Sequence, residues 1–207
     1  MTAIQAASLL VLVLYLGAFF AGSALAARAA QRSVWLFGTA RGKDRIAAVG
    51  FRASFALALG GPLLWIAAPA VSVFDPVWQR GPHWLAMAGH MLAVAGAMLA
   101  FASQMAMGAS WRVGVRPDAV GALVTGGLYT VSRNPTFLGQ AALLAGLALA
   151  NPSLPGIAAL LLFLTSAELQ IRSEEAVLRE THGAAFQTFA SRVPRWIGWP
   201  RETPRDS

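Results

Sequence analysis

Long apolar segments separated by short basic ones dominate the chain. The first apolar run extends from Ala3 to Ala27 without a charged residue, and further runs cover about Ile46 to Phe74 and Trp84 to Gly108. Two shorter runs, Thr136 to Ala150 and Gly156 to Leu169, flank a proline-rich break. A helix needs about 20 apolar residues to cross a bilayer core. The pattern therefore predicts an all-α polytopic membrane protein with about five transmembrane helices, the last two forming a helical hairpin.

Three local features qualify this pattern. Gly60-Gly61-Pro62 lies in the middle of the second run and predicts a kink or a break there. Ser23 to Ala27 allows the first run to be interpreted instead as a signal peptide with its cleavage region. The run is longer than a typical signal core and no Lys or Arg precedes it, so a retained helix is the prediction. Small residues that are candidates for close helix contacts are Gly17, Gly22 and Gly96.

The basic residues give the topology. Only 12% of the residues are charged, against about 25% in typical soluble domains, and the net charge is +7. Fourteen of the sixteen basic residues fall in the segments that the five-helix topology places on one side: Arg28, Arg32, Arg41, Lys43, Arg45, Arg112, Arg116, Arg133, Arg172, Arg179, Arg192, Arg195, Arg201 and Arg205. Arg80 lies on the other side, and Arg52 near the basic one. The positive-inside rule predicts an outer N-terminus and a cytoplasmic C-terminus.

This clustering between apolar runs indicates that the basic residues interact with a membrane rather than with nucleic acid. The arginine- and alanine-rich composition favours a bacterial protein of the inner cell membrane. The chain has no cysteine, and its three histidines share neither spacing nor membrane side, so no metal site is predicted. Glycine-rich phosphate loops, hydrolase serine motifs and a Rossmann fingerprint are missing from the sequence. An internal repeat or a carboxylate deep in a span would indicate a transporter. The sequence shows neither, so a transporter is disfavoured.

The first polar segment on the predicted cytoplasmic side covers Ser110 to Gly139. Asn134-Pro135 predicts a helix start, because Asn is favoured as the N-cap and Pro at the first helical position. Free N–H groups at that end, with Arg133 beside them, would attract a carboxylate or phosphate. The alternative is that Arg133 is a topological anchor and Asn134 only a cap.

The second polar segment covers Glu168 to Trp199 and should meet the first on the same membrane face. One helical face of this segment carries Glu168, Arg172, Glu175 and Arg179. The adjacent Glu174 should diverge from Glu175 by about 100° around the helix. Such carboxylates would suit a cationic or hydroxyl-rich ligand, and the alternative is a solvated face with weak ion pairs. The residues that predict a C-terminal helical segment anchored at the membrane surface are Phe186, Phe189, Val193, Trp196 and Ile197.

Both segments resemble the integral membrane methyltransferases related to isoprenylcysteine carboxyl methyltransferase and to phospholipid methyltransferases. The first motif is Leu123-Val-Thr-Gly-Gly-Leu-Tyr-Thr-Val-Ser-Arg-Asn-Pro-Thr-Phe-Leu-Gly139. The second consists of Glu174-Glu175-x-x-Leu178, Gly183, Phe186, Phe189 and Pro194-Arg195. The resemblance covers roughly Ala109 to Trp196. Two positions depart from the family pattern: Asn134 replaces a histidine and Phe137 a tyrosine. Asn134 cannot act as a base near neutral pH, so a mechanism that needs a histidine base there is in doubt.

The resemblance implies an S-adenosylmethionine-dependent methyltransferase, in one membrane domain over residues 1–207 with its catalytic part at about 109–197. The cofactor-binding residues it implies are Tyr129, Arg133, Asn134, Pro135, Phe137, Gly139, Glu174 and Glu175. The catalytic residues are Glu175, Arg133 and Asn134. The acceptor would be lipophilic and would enter from the bilayer: a prenylcysteine-like carboxylate, a phospholipid amine or another small hydrophobic molecule.

Two alternatives stay open. One is a membrane reductase related to sterol reductases, although the paired Glu174 and Glu175 would repel the phosphates of NADPH. The other is a non-enzymatic lipid-binding or assembly protein, which the departures at Asn134 and Phe137 would suit.

Overall fold

The all-α architecture predicted from the sequence is confirmed. The computed structural model describes residues 1–78, 81–114 and 121–198. The helices in this part of the chain are α1 (Ala3–Ala30), α2 (Gly42–Ala67), α3 (Pro69–Ser72), α4 (His83–Met107), α5 (Pro135–Ala150) and α6 (Leu154–Arg192). Four of them, α1, α2, α4 and α6, are long and apolar enough to cross a membrane, and α5 is a shorter apolar helix. The fold is that of a polytopic membrane protein.

Of the kink or break predicted in the second apolar run, the break is wrong. α2 continues through Gly60-Gly61-Pro62 and ends at Ala67, so the triplet does not break the helix. Gly61 lies directly against Pro155 of α6, and this contact requires the small residue. The last apolar run ends at Leu169, but the helix continues to Arg192 and includes the face predicted from Glu168 to Arg179. Arg80, Arg116, Trp199, Arg201 and Arg205 lie outside the described residues.

The backbone of α6 is interrupted at Gly183. Its φ of 50° and ψ of −122° lie outside the helical region and suit a residue without a Cβ. The chain then resumes as a helix to Arg192 in a new direction. Phe186 and Phe189 after the kink are buried against Tyr129 and Val193 in a second, smaller apolar cluster. The kink thus turns the end of α6 back over the segment that precedes α5.

The closest helix pair is α4 with α5, which run antiparallel. The four glycines at their contact are Gly89, Gly96, Gly139 and Gly146. Any Cβ added to one of them would overlap backbone atoms of the opposite helix. Gly22 also lies at a contact, against the Gln104 side chain, whereas nothing lies within 4 Å of the Gly17 position. Of the three predicted contact glycines, Gly22 and Gly96 are therefore confirmed and Gly17 is not.

Aromatic side chains fill the space between α2, α5 and α6. The Phe51 and Phe55 rings lie 5.2 Å apart by their centroids, and Phe163 lies within 5.9 Å of both. Phe137 of the first turn of α5 continues this series at 6.4 Å from Phe163. Large side chains such as Phe74 and Met91 are exposed at the outer surface. Exposed apolar residues of this size suit a lipid-facing surface.

Short backbone contacts connect the loops on one face of the bundle. The Leu36 N–H donates to the Val113 carbonyl at 2.9 Å, and the Val113 N–H donates to the Val34 carbonyl at 2.8 Å. The Trp111 indole N–H donates to Ser23 Oγ of α1 at 3.1 Å. The α1–α2 loop and the segment after α4 are therefore fixed beside the start of α5.

Candidate functional site

The start of α5 lies where the sequence predicts it, but Asn134 does not cap it with its side chain. Asn134 occupies the N-cap position and Pro135 the first helical position. The Asn134 Nδ2 instead donates to the backbone carbonyl of Arg195 at 3.0 Å, and its own N–H donates to Ser132 Oγ at 3.0 Å. The predicted capping role of this side chain is wrong, because the C-terminal segment lies close enough to take its hydrogen bond.

Glu175 joins three parts of the chain. Its Oε1 accepts from Arg133 Nη2 at 2.8 Å, and its Oε2 accepts from Arg195 Nη2 at 2.7 Å. The Glu175 side chain is only 8% exposed. Arg133 also donates through Nη1 to the Ala190 carbonyl at 2.9 Å. The two polar segments therefore meet, as predicted, and the meeting point is a buried ion pair.

A more exposed acid extends this arrangement. Glu168 accepts from Arg195 Nη1 at 2.9 Å and from Arg172 Nε at 2.8 Å, the latter being the predicted pair four residues along the helix. Arg179 does not continue the row of pairs, and its guanidinium lies 5.7 Å from the Phe186 ring centre. We call Arg133, Glu168, Arg172, Glu175 and Arg195 the ion cluster. The cluster fixes the segment 193–198 against α5 and α6.

A large cavity opens beside the ion cluster. The empty space among its lining residues is about 830 Å³ when the open solvent at its mouth is included. The sequence-predicted site residues that line it are Tyr129, Arg133, Asn134, Phe137 and Glu174. Pro135, Gly139 and Glu175 do not line it: Pro135 starts α5, Gly139 contacts Ala100 of α4, and Glu175 belongs to the ion cluster. The structure thus brings five of the eight residues to one surface.

Several polar lining residues were missed by reasoning from the sequence. Arg112 and Gln170 both line the cavity with Glu174. Gln170 Nε2 donates to Glu174 Oε1 at 3.2 Å, and the positive charge of Arg112 attracts the Glu174 carboxylate. Gln170 gave little signal in the sequence, because it follows the last apolar run and lies between the charged Glu168 and Arg172. Arg112 gave no signal either, since any basic residue near a span fits the topology rule.

These polar groups are incompletely paired. Arg112 Nε, Arg133 Nε and Gln170 Oε1 are buried and have no hydrogen-bond partner among the described residues. No ion pair joins Arg112 to Glu174 within the described ranges, although Glu174 has Gln170 as a partner. Buried donors and acceptors are almost always satisfied in native proteins. The unpaired atoms leave hydrogen-bond donors and an acceptor available to a polar ligand at this cavity.

Aromatic rings form the rest of the wall. Tyr129, Phe137 and Phe189 contribute from the motif segments, and rings of α1, α2 and the loop between them also line the cavity. The Tyr129 hydroxyl donates to the Ser103 carbonyl at 3.3 Å. Burial raises the pKa of Tyr129 to about 12, so the phenol stays protonated at neutral pH. The wall thus offers neutral π-faces, which attract cations and flat heterocycles.

Residues 84–185, just under half of the chain, match the family model described as phospholipid methyltransferase. No curated protein matches the chain. The match confirms the family that the two motif segments indicate. It includes Arg112, Tyr129, Gln170 and Glu174 of the cavity but ends before Arg195 of the ion cluster.

Proposed function

We propose that the protein is an S-adenosylmethionine-dependent methyltransferase acting on a lipophilic acceptor from the bilayer, because residues 84–185 match the phospholipid methyltransferase family model. The observation that carries this proposal is the large cavity, whose lining combines Arg112, Glu174 and Gln170 with a wall of aromatic rings. The family is one of membrane methyltransferases with lipid substrates. The cavity suits a cofactor that carries a carboxylate and an ammonium group at one end and a heterocycle at the other.

The residues present fit S-adenosylmethionine on three counts. Its carboxylate matches the buried, unpaired Nε atoms of Arg112 and Arg133. Its ammonium group, or the ribose hydroxyls, matches the Glu174 carboxylate, which has no arginine paired to it among the described residues. Its adenine and sulfonium match the aromatic faces of Tyr129 and Phe137. Dinucleotide phosphates fit less well, because Glu174 would repel them.

Glu174 and Glu175 have different parts in this proposal. Glu175 is engaged by two arginines and does not line the cavity, so its proposed task is to hold Arg133 in position. Glu174 lines the cavity and is the proposed cofactor ligand, held by Gln170. Asn134 acts in the same way as Glu175, since it ties the start of α5 to Arg195.

Bound S-adenosylmethionine supplies a methyl group on a sulfonium, which is already a strong leaving group. The protein therefore mainly has to orient the acceptor and exclude water. The aromatic rings of the wall exclude water from the reacting centre, and Arg112, Arg133 and Glu174 orient the cofactor. The cavity lining offers Asn134 where related sequences carry a histidine, so we propose no protein base at that position. A carboxylate acceptor needs none, and an amine must arrive neutral.

Ligand binding to the detergent-purified protein tests this proposal. S-adenosylmethionine and S-adenosylhomocysteine should each raise the melting temperature in a saturable way, since a ligand at a hundredfold excess over its Kd stabilises by about 2.7 kcal/mol. Glu174→Gln should weaken binding by about tenfold to a hundredfold, because a hydrogen bond to a charged group is lost. Glu180→Gln, an exposed charge change on the same helix, is the matched control and should bind normally.

Methyl transfer completes the test. Labelled methyl groups from the cofactor should appear in the organic phase when membrane lipid extract is added, and not with Glu174→Gln. A melting shift with NADPH and none with S-adenosylmethionine would replace the proposal with the reductase. No shift with any of these ligands, in folded protein, would favour the non-enzymatic alternative.

A further inference from the structure

A second cavity lies next to the first, and aromatic rings make up most of its lining. It lies between α1, α2 and α5, and the empty space among its lining residues is about 650 Å³ when the open solvent at its mouth is included. We call this space the aromatic cavity. The residues that line both cavities are Phe19, Phe37, Phe51 and Gln140. A molecule in the aromatic cavity would therefore lie beside the proposed cofactor site.

Two buried polar side chains meet in this aromatic lining. Tyr15 of α1 is 3% exposed and Gln140 of α5 is 2% exposed, and both line the cavity. The Gln140 Nε2 donates to the Tyr15 hydroxyl at 2.6 Å. The Tyr15 ring also lies against the rings of Phe19 and Phe55, with centroids 6.1 Å and 6.2 Å away. The polar pair is therefore held in one position by aromatic packing.

The pair leaves one hydrogen-bond donor and one acceptor unused. A phenol carries a single hydrogen, and because the Tyr15 oxygen accepts from Gln140, that hydrogen is directed elsewhere. Among the described residues, none accepts it and none donates to the Gln140 Oε1. Buried donors and acceptors are almost always paired in native proteins. A ligand in the aromatic cavity could therefore pair with both groups.

The unused groups select a neutral ligand group rather than a charged one. A carboxylate only accepts and would leave the Gln140 oxygen unpaired, whereas an ammonium group only donates and would leave the Tyr15 hydrogen unpaired. A neutral hydroxyl group does both. The charged lining residue, Arg52, is exposed, and its guanidinium lies 5.1 Å from the centre of the Phe37 ring, so it is not part of the buried pair. The surrounding rings favour a flat ring as the carrier of the hydroxyl group.

We propose that Tyr15 and Gln140 form a recognition site for a phenolic hydroxyl group of a lipophilic molecule whose ring occupies the aromatic cavity. Tyr15 donates to the phenolic oxygen, and the Gln140 Oε1 accepts the phenolic hydrogen. This is a binding step in which no covalent bond is made or broken. It rests on the proposed methyltransferase function only in that such a molecule would be the acceptor, which it narrows from any lipophilic molecule to a phenolic one.

Probes that share one alkyl chain and differ in their polar group test the proposal. Their dissociation constants are measured as mole fractions in detergent, from the shift in melting temperature. Dodecylphenol should bind about fivefold more tightly than its methyl ether, which has no hydrogen for Gln140, and the ether about fivefold more tightly than dodecylbenzene, which cannot accept from Tyr15. The anionic dodecylbenzoic acid and the cationic dodecylbenzylamine should bind more weakly than the phenol. Dodecylcyclohexanol, whose ring is not flat, should bind about threefold more weakly.

Two variants separate the two hydrogen bonds, and a third is the matched control. Tyr15→Phe should lower the affinities for the phenol and the ether by about fivefold and leave those for dodecylbenzene and S-adenosylmethionine unchanged, because Tyr15 does not line the large cavity. Gln140→Met should remove the preference for the phenol over the ether. Ser54→Ala also removes a buried hydroxyl, which donates to the Phe51 carbonyl at 2.7 Å, but Ser54 lines neither cavity. This control should keep every preference.

Several outcomes would overturn the proposal. Equal binding of dodecylphenol and dodecylbenzene to the unaltered protein would leave an apolar cavity only, and tighter binding of the acid or the amine would assign a charged ligand. Equal binding of the cyclohexanol would remove the ring. Preferences kept in both Tyr15→Phe and Gln140→Met, or lost in Ser54→Ala as well, would show that the pair does not select the ligand. Failure of the cofactor assays with the phenol preference intact would instead overturn only the proposed methyltransferase function.

Discussion

α5 is held in two places by different kinds of contact. Along its length, α5 lies against α4 through glycines, and no side chain separates the two backbones. At its start, it is held by the ion cluster and by hydrogen bonds from Arg133 and Asn134 to the C-terminal segment. The glycine contact tolerates almost no added volume, whereas the ion cluster depends on charge. α5 is thus held by close backbone packing along its length and by charge at its start.

The largest expected effect comes from adding volume at the glycine contact. Gly96→Val would push a branched side chain into the backbone of α5 and should destabilise by about 3 kcal/mol or prevent folding. Gly96→Ala is the milder form, and Gly17→Val is the control, since its position is open. Melting temperature and monodispersity in detergent measure the effect. Equal behaviour of Gly96→Ala and Gly17→Val would contradict the close contact.

Charge neutralisation in the ion cluster should have a graded effect that does not exceed the effect of Gly96→Val. Glu175→Gln leaves Arg133 and Arg195 without their shared buried partner and should cost about 3 kcal/mol, at the low end for a broken buried pair, because Arg195 keeps Glu168. Glu168→Gln, whose side chain is 30% exposed, should cost about 1 kcal/mol or less. Chemical unfolding of both variants compares them. If the exposed acid proved the more costly, the assignment of Glu175 as the centre of the cluster would be wrong.

The effect expected under the narrowest range of conditions is a pH dependence at Tyr129, which is confined to alkaline solution. Its pKa is raised by burial from 10.0 to about 12, so the folded state binds the proton more strongly than the unfolded state. The stabilisation is complete below pH 10 and is lost as the pH rises towards 12, by at most about 2.7 kcal/mol. Tyr129→Phe should remove this part of the alkaline destabilisation. The stability difference between the variant and the unaltered protein at pH 9 and pH 11 measures it, and a constant difference would refute the burial.

Reasoning from the sequence recovered the parts of the site that local patterns encode. The start of α5 at Pro135 follows from residue preferences at helix ends, and the meeting of the two polar segments follows from two basic loops on one face. The pairing of Arg133 with Glu175 was not predicted. The roles of the two adjacent acids could not be separated in this way. Glu174 and Glu175 have the same chemistry and neighbouring positions, and only their orientation sends one to the cavity and the other to the ion cluster.

The contribution of the N-terminal helices α1 and α2 to the site was not predicted from the sequence. Their apolar pattern predicted two spans and nothing about the site, yet Phe19, Phe37 and Phe51 line both cavities. An aromatic residue in a membrane helix has the same sequence pattern whether it faces lipid or a cavity. Arg52 was likewise assigned only to the basic side of the membrane.

The sequence by itself determined that this chain is helical, lies in a membrane and carries a methyltransferase motif, because hydrophobic length, helix-end preferences and motif spacing are local properties of the chain. The tertiary structure decided which polar groups share a cavity, which acid is free and which rings lie beside Arg52. Those outcomes depend on how far each helix is rotated and how closely its neighbour approaches, and α4 and α5 approach closely only because four glycines, seven residues apart on each helix, meet in space.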